Sequence, residues 1–273
     1  MTYQERFITV PDGLKIFLRD YAPVGTARGV PVVCLHGLTR NSADFEGVSP
    51  RIAALGRRVL AFDVRGRGRS DRDPKPERYA APVYAADVVH AMGELGVERA
   101  VFVGTSMGGL ITMITAVTAP GRIAAAVLND IGPVVETSGV SRIATYVGKT
   151  PPQKSWADLT ALVKGTQAAM FPDADDRFWE KMTRRVGREL PDGRVEFDYD
   201  PAIANAFAAA PADAPAPDLK PLFQMLAAVP ILVVHGAESD ILRPEGIAAM
   251  KAIKPDLDVV DVPRIGHAPT LEE

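Results

Sequence analysis

The sequence predicts an α/β fold: one doubly wound, mostly parallel eight-stranded sheet, covered by helices on both faces and interrupted by a helical insertion. Two observations support this prediction. Short, continuous apolar runs alternate with helix-length segments in the first half of the chain and again near its end. The alternation stops between Pro133 and Pro221, where helical patterns dominate. Continuous apolar runs are typical of parallel strands that are buried on both faces of a sheet.

The first two strands are expected at residues 7–10 and 14–21. They flank Pro11-Asp12-Gly13, which is typical of the turn of an antiparallel hairpin. Six more strands are expected at residues 31–35, 58–62, 100–103, 125–129, 229–234 and 257–262. Helices are expected between them at residues 49–55, 83–95 and 107–118.

The organisation follows from where the strand pattern stops. Residues 1–132 and 222–273 are predicted to form the core domain, and residues 133–221 a helical lid inserted into it. Helices are expected at residues 138–147, 156–170 and 176–190, and Asp200-Pro201 is typical of a helix start. The insertion ends in a proline-rich stretch, interpreted as a stiff return linker, that contains Pro211, Pro215, Pro217 and Pro221.

Composition excludes several classes of protein. The chain has 31 basic and 34 acidic residues and a net charge of −3, which argues against a broad nucleic-acid surface. Its single cysteine, Cys34, excludes an intrachain disulfide and a cysteine-based zinc site. Glu5 and Arg6 stand where a signal peptide needs an apolar stretch, and no apolar run is long enough to span a bilayer. A cytoplasmic protein with no membrane or nucleic-acid partner is expected, and a homodimer is left open.

The strongest chemical signal is Gly104-Thr105-Ser106-Met107-Gly108, a Gly-x-Ser-x-Gly motif. It lies directly after a predicted strand and directly before a predicted helix. A serine on such a sharp strand-to-helix turn is exposed at the edge of the sheet as a nucleophile. The alternative is a tight turn in which Ser106 only caps the helix.

A serine nucleophile needs a base, and the chain has four histidines. His90 lies inside a predicted helix, while His36 and His235 end predicted strands. His267 follows the last strand, on a loop at the edge where Ser106 emerges, and the chain order nucleophile, acid, histidine favours it as the base.

The acid that orients the histidine is expected between the serine and the histidine, after a strand. Asp240 and Asp130 both satisfy this condition, and Glu238 is a minor competitor. We expect Asp240, because the acid usually lies one strand before the histidine loop. Asp130 remains the alternative acid, although Asp130-Ile131-Gly132-Pro133 is also typical of a turn.

Two backbone N–H groups are needed to bind an oxyanion. Met107, next to the nucleophile, is expected to supply one and Leu38, after the third strand, the other. His36 and Gly37 are expected to contact the substrate; His36 also supports this loop, and Gly37 permits its bend.

The aromatic residues of the insertion have two interpretations: they form its own small core, or they line an apolar substrate pocket. We expect Trp156 or Trp179, together with one of Tyr146 and Phe171, to border a pocket above Ser106.

These motifs resemble those of the α/β-hydrolase superfamily, and the resemblance covers nearly the whole chain. It includes the stretch from Asp63 to Ser70, which looks like the family's Asp-x-Arg-Gly-x-Gly-x-Ser segment. The resemblance is greatest to small lid-bearing esterases, enol-lactonases and carbon–carbon bond hydrolases. Many of those relatives place the acid three residues after the strand-end glycine, where this chain has Ser239, one residue before Asp240.

The expected function is that of a serine hydrolase that cleaves carboxylic esters of small, largely apolar substrates through an acyl-enzyme. Ser106, His267 and Asp240 would form the triad, and no metal or cofactor is needed for this chemistry. The alternatives on the same residues are a carbon–carbon bond hydrolase, an enol-lactonase and a cofactor-free perhydrolase, which the fold does not separate. A binding protein without catalysis is disfavoured, because all the site residues are present.

Overall fold

The computed structural model describes residues 2–205 and 218–273 and contains the predicted sheet. Its eight strands are β1 (Gln4–Thr9), β2 (Lys15–Tyr21), β3 (Val32–Leu35), β4 (Val59–Phe62), β5 (Ala100–Thr105), β6 (Ile123–Asn129), β9 (Ile231–Gly236) and β10 (Asp258–Val262). They lie in the order β1-β2-β4-β3-β5-β6-β9-β10. Strand β2 pairs antiparallel with both neighbours, and all other pairs are parallel, so the predicted mostly parallel α/β sheet is confirmed.

Helices connect the strands of the sheet close to where the sequence predicts them. Helix α3 has the predicted bounds, and α1 and α2 differ from the prediction by one or two residues at their ends. The helices that connect or flank the sheet strands are α1 (Ser49–Ala54), α2 (Ala81–Glu94), α3 (Met107–Thr118), α7 (Lys220–Leu226) and α8 (Pro244–Ile253).

Residues 133–205, which lie between β6 and β9 and are called here the β6–β9 segment, contain helices α4 (Thr137–Tyr146), α5 (Trp156–Gln167) and α6 (Asp176–Val186). The predicted helix over residues 176–190 is wrong at its end. Strand β7 (Gly187–Glu189) follows α6 and pairs antiparallel with β8 (Val195–Phe197) around a turn at Gly193, where φ is +82°. Pro211, Pro215 and Pro217 of the predicted linker lie outside the described residues.

The β6–β9 segment has a small apolar core of its own. Trp179, at 1% exposure, lies at its centre. Phe171 and Phe178 both contact it, with ring centroids 6.1 and 5.1 Å away. The other buried members of this cluster are Leu159, Val163, Met170, Met182, Val186 and Val195.

Several polar contacts attach this segment to the rest of the fold, and two groups of them involve the loops after β4 and β9. After β8, the Asp198 carbonyl accepts from Gly68 N at 2.8 Å, and Asp200 N donates to the Gly66 carbonyl at 2.7 Å. On the other side, the Arg142 guanidinium of α4 forms a bidentate ion pair with Asp240, in the loop after β9. Further contacts join the segment to the loop after β3, through Arg185 and Glu46, and to the chain after β10, through Arg185 and Glu272.

Helix α3 packs closely on the sheet because two glycines leave room for backbone contact. A Cβ at Gly104 would lie 2.5 Å from the carbonyl carbon of Gly108. A Cβ at Gly108 would lie 2.0 Å from the carbonyl oxygen of Leu35 in β3. No side chain fits at either position without a shift of backbone.

Gly108→Ala is expected to destabilise the protein by about 3 kcal/mol or more, since the added methyl group meets main-chain atoms that cannot rotate away. The control is Gly93→Ala in α2, where an added Cβ has no atom within 4 Å. That variant is expected to gain up to about 1 kcal/mol from helix propensity. Denaturant unfolding measures both, and a Gly108→Ala protein as stable as the Gly93→Ala protein would contradict the close packing of α3.

A second prediction concerns Asp198, whose carboxylate is 18% exposed and has Arg188 Nε 3.8 Å away as its nearest ion-pair partner. Burial raises the pKa of Asp198 to about 6, Arg188 opposes this rise, and the nearby Asp63 carboxylate adds to it. The folded-state pKa therefore exceeds that of an unfolded aspartate, about 3.9. It follows that the native state loses stability as the pH rises from about 4 through about 6.

Asp198→Asn is accordingly expected to raise the melting temperature by several degrees at pH 8, with a gain that disappears near pH 4. The control is Asp192→Asn, in an exposed ion pair with Arg194, for which little change is expected. Thermal melts at pH 4, 6 and 8 test the prediction. A gain of equal size at all three values would show that ionisation of Asp198 is not its cause.

Candidate active site

Ser106 occupies the sharp turn between β5 and α3. Its backbone has φ 50° and ψ −112°, a strained conformation for a residue other than glycine. The N–H group of Ser106 holds this turn by donating a hydrogen bond to the Asn129 carbonyl at 2.9 Å. The close approach of Gly104 to Gly108 makes this turn possible and leaves the serine hydroxyl at the edge of the sheet.

His267 lies beside Ser106, as the sequence predicts. Its Nε2 atom is 2.8 Å from Ser106 Oγ. The loop that carries His267 is fixed at both sides: Gly266 N donates to the Met170 carbonyl, and Asn129 Nδ2 donates to the Pro269 carbonyl at 2.8 Å. The imidazole is therefore within hydrogen-bond distance of the hydroxyl whose proton a base would remove.

The carboxylate that contacts His267 belongs to Asp130, and the prediction that Asp240 makes this contact is wrong. Asp130 Oδ2 lies 2.7 Å from His267 Nδ1, and the Asp130 side chain is fully buried. Asp130 follows β6 directly, with φ at +58°. Strand β6 lies next to β5 in the sheet, so the ends of the two strands bring Asp130 close to the Ser106 turn.

Asp240 fails to reach His267 because the loop after β9 turns Ser239 inward and Asp240 toward α4. Asp240 is engaged by Arg142, with contacts of 2.6 and 2.9 Å. Partial burial acts to raise the pKa of Asp240, but the hydrogen bonds and charge of Arg142 outweigh it and hold that pKa below its ordinary value. Strands β9 and β10 are neighbours, as expected, but this adjacency does not determine which side chain points inward.

The Asp130 carboxylate has donors on both oxygens in addition to the imidazole. Gly236 N donates to Oδ1 at 2.9 Å, and Ser239 Oγ donates to Oδ2 at 2.5 Å. Ser239 is buried, and its oxygen in turn accepts from Ile241 N and Leu242 N. A buried carboxylate needs such donors to remain ionised.

The turn after β3 lies against Ser106. A Cβ at Gly37 would lie 3.9 Å from Ser106 Cβ, so this backbone passes close to the hydroxyl. Within the described residues, neither the Leu38 N–H nor the Met107 N–H donates to a protein acceptor. Both are available for a ligand oxygen.

His36 supports this turn from inside the protein and does not reach the pocket, so its predicted substrate contact is wrong. It has no exposed surface. Its Nε2 accepts from Val64 N at 3.0 Å, which leaves the proton on Nδ1 to donate to the Gly37 carbonyl at 2.7 Å. Burial lowers the pKa of His36 to about 4, so the ring is neutral at physiological pH.

A pocket opens in front of Ser106, between the sheet edge and the β6–β9 segment. Tyr146 and Phe171 line it, together with Gly37 and Leu38. Trp156 and Trp179 do not: Trp156 stacks under Arg184 at 3.9 Å, and Trp179 is enclosed in the core of the β6–β9 segment. The apolar wall includes Ile143, Tyr146, Leu162, Val163, Phe171 and Phe197.

The charged side chains of the pocket wall are already paired. Arg40 forms a bidentate ion pair with Asp44 at 3.0 and 2.8 Å. Arg185 contacts Glu46 at 2.9 Å and Glu272 at 2.5 Å. Both guanidiniums of the wall are therefore neutralised.

Across residues 2–205 and 218–273, no group of three or more His, Cys, Asp or Glu side chains is arranged to hold a metal ion. None of the helices within those ranges combines the length and the apolar character needed to cross a membrane.

Sequence reasoning missed the role of the stretch from Asp63 to Ser70. The sequence shows a glycine-rich loop with several arginines, and nothing in it indicates that Arg65 and Arg67 are each only 1% exposed. Arg65 forms ion pairs with Asp12, Asp73 and Asp87, while Arg67 extends behind the turn at Leu38. The signal in the sequence was the acidic residues that follow this stretch, Asp73 and Asp87, which could have indicated partners for a buried Arg65.

Comparisons with known proteins agree with this architecture. The family model described as alpha/beta hydrolase fold matches residues 30–273. A 3-hydroxybutyrate-oligomer hydrolase of Cupriavidus necator is 35% identical over 244 residues, covering 88% of this chain and 83% of that protein. A 2-(acetamidomethylene)succinate hydrolase of Mesorhizobium japonicum is 29% identical, covering 88% and 82% of the two chains.

Among solved structures, an alpha/beta hydrolase from Novosphingobium aromaticivorans superposes with a TM-score of 0.92. It is 42% identical, and the alignment covers 100% of this chain and 95% of that one. The sheet order, the strand-to-helix turn at Ser106 and these similarities together identify the chain as a member of the alpha/beta hydrolase fold family.

Proposed function

We propose that this protein is a serine hydrolase that cleaves carboxylic esters of small, largely apolar substrates. The observation that carries the proposal is the continuous hydrogen-bond chain from Ser106 Oγ through His267 to Asp130, with distances of 2.8 and 2.7 Å. A serine hydroxyl becomes an effective nucleophile when a base accepts its proton and a carboxylate orients that base. The pocket in front of Ser106 gives a substrate carbonyl access to it.

In the proposed mechanism, Ser106 Oγ attacks the ester carbonyl while His267 Nε2 takes the hydroxyl proton. Asp130 accepts the Nδ1–H bond, fixes the tautomer and stabilises the imidazolium. The N–H groups of Leu38 and Met107 bind the oxyanion of the tetrahedral intermediate. His267 then protonates the leaving alcohol, and a water molecule hydrolyses the acyl-enzyme by the same steps.

The β6–β9 segment, which contains most of the described residues of the lid predicted over residues 133–221, fits the role of a cover for the pocket. Tyr146 of α4 and Phe171 supply apolar surface opposite Ser106. A cover of this kind excludes water from the oxyanion and selects substrates by shape.

The charges of the pocket favour a substrate that is neutral near the scissile bond. A succinate derivative brings two carboxylates, and binding them needs unpaired cations, whereas Arg40 and Arg185 are already neutralised. Oligomers of 3-hydroxybutyrate are neutral esters except at one end. Neutral esters are therefore favoured over dicarboxylate substrates.

The substrate prediction is tested with p-nitrophenyl acetate, butyrate and octanoate, the methyl ester of the 3-hydroxybutyrate dimer, a vinylogous diketone and 2-(acetamidomethylene)succinate. We expect turnover of the neutral esters with kcat/KM at least about tenfold above that of the dicarboxylate, a difference of about 1.4 kcal/mol. Ser106→Ala is expected to reduce kcat by a factor of about 10³ or more. Preferred turnover of the dicarboxylate or the diketone would contradict ester specificity.

The acid assignment is tested by a matched pair of substitutions. Asp130→Asn is expected to reduce kcat by a factor on the order of 10⁴, because the amide favours the wrong imidazole tautomer. Asp240→Asn removes the partner of Arg142 but no contact of His267, so its kcat is expected within about tenfold of wild type. Steady-state kinetics on p-nitrophenyl butyrate decide between them. If Asp240→Asn is the more damaging change, the acid is Asp240.

A further inference from the structure

Arg67 is a buried cation with an unusual set of partners. Its side chain is 1% exposed, and every acceptor that the structure gives it within the described residues is uncharged. Nη1 donates to the Arg65 carbonyl and to Tyr84 Oη, both at 2.8 Å. Arg65, two residues earlier and equally buried, is by contrast surrounded by three carboxylates.

The remaining contacts of Arg67 lead to the two residues with free N–H groups beside Ser106. Nε donates to the Leu38 carbonyl at 2.9 Å, and Nη2 lies 3.6 Å from Met107 Sδ. The guanidinium therefore holds the Leu38 backbone by a charge-assisted bond and lies behind both residues.

Burial of an arginine among neutral groups costs free energy, because its charge is lost to water without a counter-ion. The face of Tyr84, 4.9 Å from the guanidinium carbon, and that of Tyr79, at 5.8 Å, offset part of this cost. Because Arg67 has no counter-ion within the described residues, it gives this place a positive electrostatic potential. That potential stabilises a negative charge that develops nearby. The charge also affects the neighbouring turn. Burial is the main cause of the lowered pKa of His36, the hydrogen bond to Gly37 opposes it, and the Arg67 charge adds to the lowering.

We propose that Arg67 is a positioning residue for the oxyanion: it fixes Leu38 and supplies a permanent positive charge behind the N–H groups of Leu38 and Met107. The inference rests on the proposed ester hydrolysis. Its benefit is largest in the tetrahedral intermediate, when the substrate oxygen carries a full negative charge, and small when the ester is only bound.

The test compares Arg67→Gln, which removes the charge, with Arg67→Lys, which retains it. The control is Arg69→Gln, whose side chain is 47% exposed and pairs with Glu5. kcat and KM are measured on p-nitrophenyl butyrate, and affinity is measured for butylboronic acid, which forms a tetrahedral anion on a serine, and for butyramide, which does not.

Arg67→Gln is expected to lower kcat and boronate affinity by about 10²-fold each, the scale of a lost oxyanion donor. KM and butyramide affinity should stay within about threefold of the wild-type values, since neither depends on the tetrahedral anion. Arg67→Lys should recover at least tenfold of the lost kcat, and Arg69→Gln should match wild type. This split distinguishes positioning from a purely structural role, which would change all four quantities together.

Wild-type kcat and boronate affinity in a folded Arg67→Gln protein would overturn the inference while leaving the proposed function intact. If Arg67→Gln does not fold, Arg67→Lys decides: kcat within about tenfold of wild type supports the proposal, and a folded lysine variant as inactive as Ser106→Ala overturns it. A wild-type protein that hydrolyses no ester would instead reject the proposed function itself.

Discussion

The fully buried carboxylate of Asp130 is the constraint around which this edge of the sheet is arranged. A charge without access to water is tolerated only when donors surround it. The three donors come from two distant parts of the chain: the Gly236 N–H and the Ser239 hydroxyl at or just after the end of β9, and the His267 imidazole after β10. The end of β6, the loop after β9 and the loop after β10 must therefore meet at one point. The carboxylate also orients the imidazole beside Ser106. The contacts that stabilise the buried carboxylate therefore also set the geometry of the reactive serine.

The sequence was informative wherever a local pattern determines structure. The apolar runs predict all eight sheet strands, and the motif around Ser106 predicts its turn because the glycines at positions 104 and 108 are needed within five residues of each other. The acid was ambiguous for a physical reason. Whether Ser239 or Asp240 points inward depends on the turn after β9 and on Arg142, which is 98 residues away in the chain. No local pattern carries that information.

The orientation and the burial of individual side chains were also ambiguous from the sequence. Trp179 and Phe171 both belong to the aromatic cluster of the β6–β9 segment, but only Phe171 also faces the pocket. Phe171 lies in the connection between α5 and α6, whereas Trp179 lies within α6, and a helical pattern does not show how that connection packs. Arg67 is a second example. It is as deeply buried as a core leucine, and this burial results from the fold of its loop and cannot be read from the residue type.

The position of the β6–β9 segment also affects how the protein folds. Strands β6 and β9 are direct neighbours although about 100 residues of chain separate them. The contacts of His267 with Asp130 and Ser106 span 137 and 161 residues. Contacts of such high sequence separation form slowly, because chain entropy is lost before they stabilise the structure. The reactive centre is thus expected to assemble last, after the segment has collapsed on its own core and brought β9 back to β6. Chains that emerge from the ribosome as far as the Ser106 turn would carry the nucleophile's loop but none of its reactivity.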